Sequence, residues 1–357
     1  ACARYSALTC PFMPSGASRT GRRRPTPLRN CFRKTRRAIA AISTRFTPDA
    51  RIRDLRPPKP QVDPWKAHGV LLEEERALGG GLERALTVFL AGAECPFTCS
   101  FCDLWRYTLE GPTPSGALPL QVARALEGLG SRFPERLKLY NASNFFDRRA
   151  VPAEDVPRLA ELAARFESVT VESHAAPIGP LTLEFATLLS GRLEVAIGLE
   201  TIHPAAAARL NKKLELAQFD RAAEFLRAHD LDLRVFVLLG TPHIAPAEMV
   251  EWTVRSVEYA AGRGAQRVAI IPVRGGNGEM ERLQALGEFV PPTLSQLEST
   301  LELCSQLRST VVTADLWDVE RLEACEACRE QRVARIRSIN LNPVPSPASL
   351  LPCPVCA

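Results

Sequence analysis

Six short apolar runs rich in β-forming residues recur along this chain, each followed by a segment of helical period, and few architectures accept that alternation. The runs are Ala85 to Leu90, Leu137 to Tyr140, Val169 to Glu172, Leu193 to Gly198, Leu233 to Leu239 and Arg267 to Pro272. Helix-period segments lie near 119–131, 153–166, 180–189, 215–229, 246–262 and 293–308. Strands that are almost continuously apolar, alternating with helices, predict a parallel sheet covered on its outer face. Six βα units suit an open or partial barrel better than a closed eight-unit one, although periodicity alone leaves a doubly wound sheet open. The 357 residues suffice for one large α/β domain or two ordinary ones, and 46% apolar with 24% charged residues is a globular composition. No apolar run reaches the roughly 18 residues of a transmembrane helix, so no membrane partner is expected.

In a parallel α/β sheet, reactive groups gather at the carboxyl ends of the strands. Here those ends read as a cysteine-rich loop after the first run, then Asn141-Ala142-Ser143-Asn144, Glu172-Ser173-His174, Glu200-Thr201, Gly240-Thr241-Pro242-His243 and Arg274-Gly275-Gly276-Asn277. Polar groups that would be awkward in a core all fall at one rim. Within it Glu172, His174, His243, Arg274 and Asn277 are candidates for substrate contact or proton transfer. Histidine suits that role because it titrates close to neutrality.

The loop after the first run, Cys95-Pro96-Phe97-Thr98-Cys99-Ser100-Phe101-Cys102, carries three thiols spaced by three and then two residues. Three such thiols converge naturally on three corners of a cubane. Iron–sulfur clusters usually take four thiolates, so the fourth iron would be open to a ligand that is not protein, as a catalytic metal keeps one open position. A zinc knuckle or a set of buried thiols is the other reading of the same residues.

The CxxxCxxC spacing, with the aromatic Phe101 just before its last Cys, resembles the signature loop of the radical SAM superfamily. That resemblance implies that the unique iron chelates S-adenosylmethionine and that an electron from the reduced cluster breaks the S–C5′ bond to give a 5′-deoxyadenosyl radical. It also favours a partial (βα)6 TIM-like barrel. By resemblance, Phe101 packs near the adenine, and Ser143 and Asn144 stand where relatives carry a glycine-rich segment that receives the methionyl amine, although those glycines are missing here. Glu200 would take the ribose hydroxyls, since a carboxylate accepts two hydrogen bonds from a diol. Lys212, within Leu210-Asn211-Lys212-Lys213, would pair with the methionine carboxylate as a point charge without the bidentate geometry of arginine. Phe101, Ser143 with Asn144, and Lys212 also have structural readings, respectively a hydrophobic shield, turn residues and a solvated helix charge.

From about Arg56 to Glu320 the chain is similar to a branch of that superfamily typified by the archaeosine synthase radical SAM subunit, related to elongator-type tRNA-modifying proteins. The shared segments are Arg56-Pro57-Pro58, Glu94-Cys95-Pro96-Phe97, Cys102-Asp103-Leu104-Trp105, Lys138-Leu139-Tyr140-Asn141, Asn144-Phe145-Phe146-Asp147, Gly198-Leu199-Glu200-Thr201, Leu210-Asn211-Lys212 and Asp315-Leu316-Trp317. The resemblance implies tRNA or a nucleoside as substrate, a flavodoxin- or ferredoxin-type reductant and a partner modification enzyme. Radical modification of a peptide or small metabolite, and a non-catalytic zinc or iron–sulfur nucleic-acid-binding protein, are the alternatives.

A second thiol group, Cys325-Glu326-Ala327-Cys328 with Cys353-Pro354-Val355-Cys356, pairs two CxxC motifs in the manner of a closed four-ligand site. Structural zinc is the first reading and an auxiliary iron–sulfur cluster its rival. Seven of the eleven cysteines thus fall into metal-ligand clusters, which points to a reducing cytoplasm. Charge is uneven: residues 1–60 hold 15 Lys and Arg against 2 Asp and Glu, leaving 30 and 38 for the remainder. The arm reads as a contact for nucleic-acid phosphates, or as disordered, transit-like or sequence upstream of the true start. The expected organisation is therefore a basic arm and Pro-rich linker over 1–60, a partial barrel over 61–310, and a small four-cysteine extension over 311–357.

Overall fold

The computed structural model describes residues 47–129, 133–307, 309–342, 353 and 355. An α/β partial barrel results, built on one eight-stranded sheet whose strands lie in sequence order. Strand β1 (Gly69–Arg76) runs antiparallel to β2 (Leu82–Phe89). From β2 onward every pairing is parallel: β3 (Arg136–Tyr140), β4 (Ser168–Ser173), β5 (Arg192–Glu200), β6 (Asp232–Leu239), β7 (Arg267–Pro272) and β8 (Val311–Ala314). All six strands expected from the sequence are present. The two added strands are those with the weakest pattern, β1 because its second half carries Glu73-Glu74-Glu75 and β8 because it is four residues long.

Along each parallel strand the two faces differ in kind. Leu137 and Leu139, Val169 and Val171, Val195 and Ile197, Val235 and Val237 point outward and are sealed by helices, with Phe185 of α4 (Pro180–Leu188) and Phe219 of α6 (Leu216–Ala228) among the most buried rings. The helices α2 (Ala117–Glu127), α3 (Asp155–Leu162), α5 (Pro204–Arg209), α7 (Met249–Gly262) and α9 (Leu294–Cys304) complete this jacket. The opposite face turns into the lumen, where charge replaces the branched aliphatic layers common in such barrels.

Glu194, with no exposed surface, is the centre of that charge. It accepts from Arg234 (2.7 Å), Arg267 (2.8 Å) and Thr170 (2.9 Å), with Arg136 at 3.4 Å. Arg234 also reaches Glu75 on β1 (2.8 Å), Arg267 reaches Glu83 on β2 (2.5 Å), and Lys138 holds Glu73 and Glu75 (2.6 and 2.5 Å). Strands β6 and β1, or β7 and β2, are far apart in the sheet, so their side chains meet only because the sheet is rolled up.

The roll stays open between β1 and β8. Arg76 spans the gap by donating to the Val312 and Asn342 carbonyls (3.1 and 3.0 Å). Asn340, on α10 (Arg329–Leu341), gives its amide to both backbone groups of Ala314 at 2.8 Å and so stands in for a ninth strand.

Two expected boundaries move. Residues 47–60, assigned to the arm, include helix α1 (Pro48–Asp54), capped by Thr47 and anchored by buried Ile52 and an Arg51–Glu279 ion pair at 3.2 Å. The barrel also runs past residue 310, since β8 pairs with β7. The arm's Cys2, Cys10 and Cys31, and its Arg-rich stretches, lie outside the described residues. Among the described residues, no helix is long and apolar enough to cross a membrane.

Burial alone would raise the Glu194 pKa, but Arg234, Arg136 and Arg267 outweigh it and hold it down at about 2. Its stabilising contribution is therefore complete above the ordinary value of 4.5 and is lost as pH falls from there toward about 2. Glu194→Gln, which leaves three guanidinium groups short of a counter-charge, should destabilise the fold by about 3–5 kcal/mol in urea unfolding at pH 7. The deficit should shrink as the pH is lowered through that window.

Candidate active site

Strand β2 ends at Phe89, and the chain leaves the carboxyl edge of the sheet directly into the loop bearing Cys95, Cys99 and Cys102. This loop is clamped from both sides. The Ser100 N–H donates to the Leu210 carbonyl (2.8 Å), and Asn211 Nδ2 donates to the Thr98 carbonyl (2.8 Å) and to Asp49 (2.7 Å), whose carboxylate also accepts from the Thr98 hydroxyl. On the other side Asn277 Nδ2 donates to the Ser100 and Cys102 carbonyls (2.8 and 3.2 Å), while its Oδ1 accepts from the Met280 N–H (2.9 Å) in the first turn of α8 (Glu279–Leu286). Below the loop, Glu94 binds Arg56 (2.7 Å) and Lys59 (3.1 Å), and Arg56 lies over the Trp105 ring at 4.7 Å.

Burial pushes the Cys99 thiol up to about 12 and raises Cys95 and Cys102 as well, with Cys95 opposing ionisation of Cys99 and both opposing that of Cys102. Near neutral pH the loop therefore holds protonated thiols that become thiolates as a metal displaces their protons.

Facing the thiols is a buried ion pair. Strand β5 bulges between Gly198 and Glu200, Glu200 adopts φ +68°, and its carboxylate meets Lys212 Nζ at 2.5 Å. Burial would depress the lysine, yet the Glu200 carboxylate beside it outweighs that and its pKa is raised. Gly198 makes room for the pair: a methyl group on it would overlap the Glu200 carboxylate and the Lys212 ammonium.

Asn144 joins this group, with Nδ2 3.5 Å from Cys95 Sγ and Oδ1 accepting from the His174 N–H at 2.6 Å. The His174 ring stacks on Phe97 at 4.2 Å and its Nδ1 accepts from the Ala176 N–H (3.0 Å), which places the proton of the neutral ring on Nε2. Burial, helped by the nearby Lys212 charge, pushes its pKa down to about 4. Glu172 is pushed up to about 7 by burial, although the backbone N–H groups of Ala142 (2.5 Å), Asn141 and Ser143 face its carboxylate. Backbone donors of that turn are thus taken by a protein carboxylate, while the buried Ser143 hydroxyl and both polar atoms of the Asn141 side chain have no protein partner.

Phe101 packs against Leu238, Val273, Met280, Leu283 and Phe289, under the loop. His243 and Arg274 serve other parts of the rim: His243 lies 3.4 Å from Glu288, and Arg274 binds Asp315 (3.5 Å) and the Trp317 carbonyl. Asn277, one of the five candidates for substrate contact, holds the loop in shape. Asp49 was missed because it sits in the basic arm segment. Also missed was the aromatic wall above the charged floor, where Tyr140 contacts Phe89 (6.3 Å) and, across the lumen, Phe236 (6.2 Å), and Phe89 contacts the exposed Trp317 (5.8 Å). Cys325, Cys328 and Cys353 gather elsewhere, at the start of α10, and Cys356 lies outside the described residues.

Because the clamp and not the loop itself fixes the thiols, Asn277→Ala should cost about 1–3 kcal/mol in thermal or urea unfolding. In the metal-free protein it should also speed iodoacetamide alkylation of the loop cysteines, read by peptide mass spectrometry. Unchanged alkylation would mean that the loop keeps its shape without Asn277.

No sequence profile of a known protein family matches the chain, and no curated protein sequence does. Among solved structures, it is similar to the archaeal Elp3 of Methanocaldococcus infernus over 63% of this chain and 60% of that one, at 14% identity and a TM-score of 0.46. A radical SAM methyltransferase from Sphaerobacter thermophilus matches over 78% of this chain and 83% of its own, at 16% identity and a TM-score of 0.45. Coproporphyrinogen III oxidase (HemN) from Escherichia coli, a radical SAM enzyme, matches over 73% and 56%, at 12% identity and a TM-score of 0.43. The chain thus spans 60% of the Elp3 chain, and at this level of likeness the chemistry must be argued from the residues themselves.

Proposed function

We propose that this chain is a radical SAM enzyme in which Cys95, Cys99 and Cys102 hold a 4Fe–4S cluster, and that it modifies tRNA or a nucleoside. The observation that carries the reading is the meeting, at one edge of the sheet, of three thiols from a single clamped loop with the buried Glu200–Lys212 pair and with Asn144. A cluster held by three thiolates supplies an iron with room for S-adenosylmethionine and, once reduced, the electron that splits its sulfonium.

The chain's own residues fit that cosubstrate. Lys212 presents a point charge suited to an amino-acid carboxylate, and Glu200 presents acceptors for an ammonium group or a ribose diol. The two neutralise each other, so neither charge is buried alone. Ser143 and Asn141 keep buried polar atoms without protein partners, as a site awaiting a polar ligand would. Asn144 meets the loop at Cys95, and Phe101 seats it on an apolar bed.

The wall of Phe89, Tyr140, Phe236 and Trp317 offers flat apolar surface at the mouth, suited to stacking a heteroaromatic base. The Arg-rich arm would supply the phosphate contacts that the acidic remainder of the chain lacks. Cleaving a sulfonium needs the low end of the iron–sulfur potential range, so a flavodoxin- or ferredoxin-type reductant is part of this reading, as is a partner modification enzyme. A peptide or small-metabolite substrate is the second reading, favoured by the excess of acidic residues beyond residue 60.

Reconstituted anaerobically with iron and sulfide and then reduced, the protein should release 5′-deoxyadenosine from S-adenosylmethionine, and Cys99→Ala should release none while remaining folded. Unchanged turnover in Cys99→Ala would defeat the assignment. Gly198→Ala displaces only the ends of two side chains. It should therefore keep its iron and sulfide but bind S-adenosylmethionine at least about tenfold more weakly, a loss of about 1.4 kcal/mol. Binding of tRNA that falls steeply with added salt would support the first substrate class, and salt-independent or absent binding the second.

A further inference from the structure

The second thiol group lies apart from the loop clamped by Asn211 and Asn277. Cys325 and Cys328 flank a turn that leads into α10, with Cys328 at its N-cap, and Cys353 lies at the same spot. The three sulfurs all lie within 4.8 Å of one another, and Cys325 Sγ is 3.9 Å from Cys353 Sγ. Cys328 and Cys353 are buried. These three are not joined to one another as disulfides.

That spacing discriminates between metals. Thiolates bound about 2.3 Å from one tetrahedral zinc stand about 3.8 Å apart along each edge. Thiolates on a cubane bind different irons and point away from one another, so their sulfurs are held much farther apart than around a single ion. The observed separation matches the first arrangement. A second feature points the same way: Arg332 Nε donates to Cys328 Sγ at 3.2 Å, and Arg332 is itself held by Glu298 of α9. A guanidinium directed at a sulfur resembles the outer-shell hydrogen bonds that orient metal ligands.

We propose that Cys325, Cys328 and Cys353 bind a single zinc-class ion, with Arg332 as an outer-shell donor to Cys328, and that this centre is structural. It would fasten Cys353 to the start of α10. That helix in turn closes the gap between β1 and β8 through Asn340 and is braced against α9 by Arg335, which binds Glu298 (2.9 Å) and Glu302 (2.8 Å). The fourth ligand is left to the remaining chain or to water. In sequence Cys356 follows Cys353 at CxxC spacing.

The experiment uses the full chain purified without oxygen, with zinc, iron and sulfide measured per chain. A Cys95→Ser, Cys99→Ser, Cys102→Ser triple variant should keep about one zinc, lack iron and sulfide, and take up cobalt with the visible spectrum of a tetrahedral thiolate site. Cys328→Ser should lose the zinc while keeping the iron and sulfide of the first loop. Arg332→Gln, which leaves all thiols in place, should retain zinc at full stoichiometry but bind it about 10- to 100-fold more weakly in competition with a chromophoric chelator. Iron and sulfide in the triple variant would overturn the proposal in favour of a second cluster, and a folded triple variant without metal would overturn it outright. An unchanged zinc affinity in Arg332→Gln would remove the outer-shell role. Because zinc is counted separately from iron, failure of the first loop to bind a cluster would leave this result intact.

Discussion

A carboxylate buried among three guanidinium groups sets the shape of this molecule. Glu194 draws Arg136, Arg234 and Arg267 from three different strands toward the barrel axis, and those arginines reach on to Glu75 and Glu83 on β1 and β2. Burying so many ions is costly, and only mutual satisfaction makes it tolerable. The arrangement constrains more than it stabilises. A flat sheet would leave Arg234 and Glu75 far apart and both unpaired, so the charges select the curled form of the sheet over the flat one.

The charged floor also explains why the chemistry-bearing groups lie at one rim. Side chains on a strand alternate between faces, so successive lumen positions climb from floor to mouth. On β3 they run Arg136, Lys138, Tyr140; on β4, Ser168, Thr170, Glu172; on β5, Glu194, Ala196, Gly198. Charge gives way to aromatic surface and then to the acidic residues and glycine beside the thiol loop. The bulge that follows Gly198 turns Glu200 toward Lys212, where a regular strand would continue the alternation. The floor fixes the roll of the sheet, and the roll brings β4 and β5 round to face a loop that leaves β2.

Much of this was legible in the sequence, and the parts that were not share a physical cause. The six apolar strands declared themselves because each is covered on its outer face by helices, and the thiol spacing marked the loop and the second cysteine group. Glu200, Lys212 and Asn144 were singled out only by resemblance to the radical SAM pattern, and the structure places them beside Cys95 and Cys99. Strand β1 was hidden because its glutamates gain their meaning only from Lys138 and Arg234, 65 and 159 residues away in sequence. The clamp on the loop was hidden for the same reason: Asn211 and Asn277 meet it from 113 and 177 residues away. A charged residue at every second place in an otherwise apolar strand, as in Arg136-Leu137-Lys138, was the available signal of a polar lumen.

Asp49 shows how a boundary drawn from composition can cut through a site. Residues 1–60 are basic in balance, yet one of their two acidic residues takes hydrogen bonds from Thr98 in the thiol loop and from Asn211. Those two donors are the leading reasons that the Asp49 pKa is lowered, and Lys213 adds to them. The carboxylate thereby joins the segment before the barrel, the thiol loop and the turn that carries Lys212. Through that one group the N-terminal segment is coupled to the geometry of the thiols, which makes helix α1 part of the site and not of a tether.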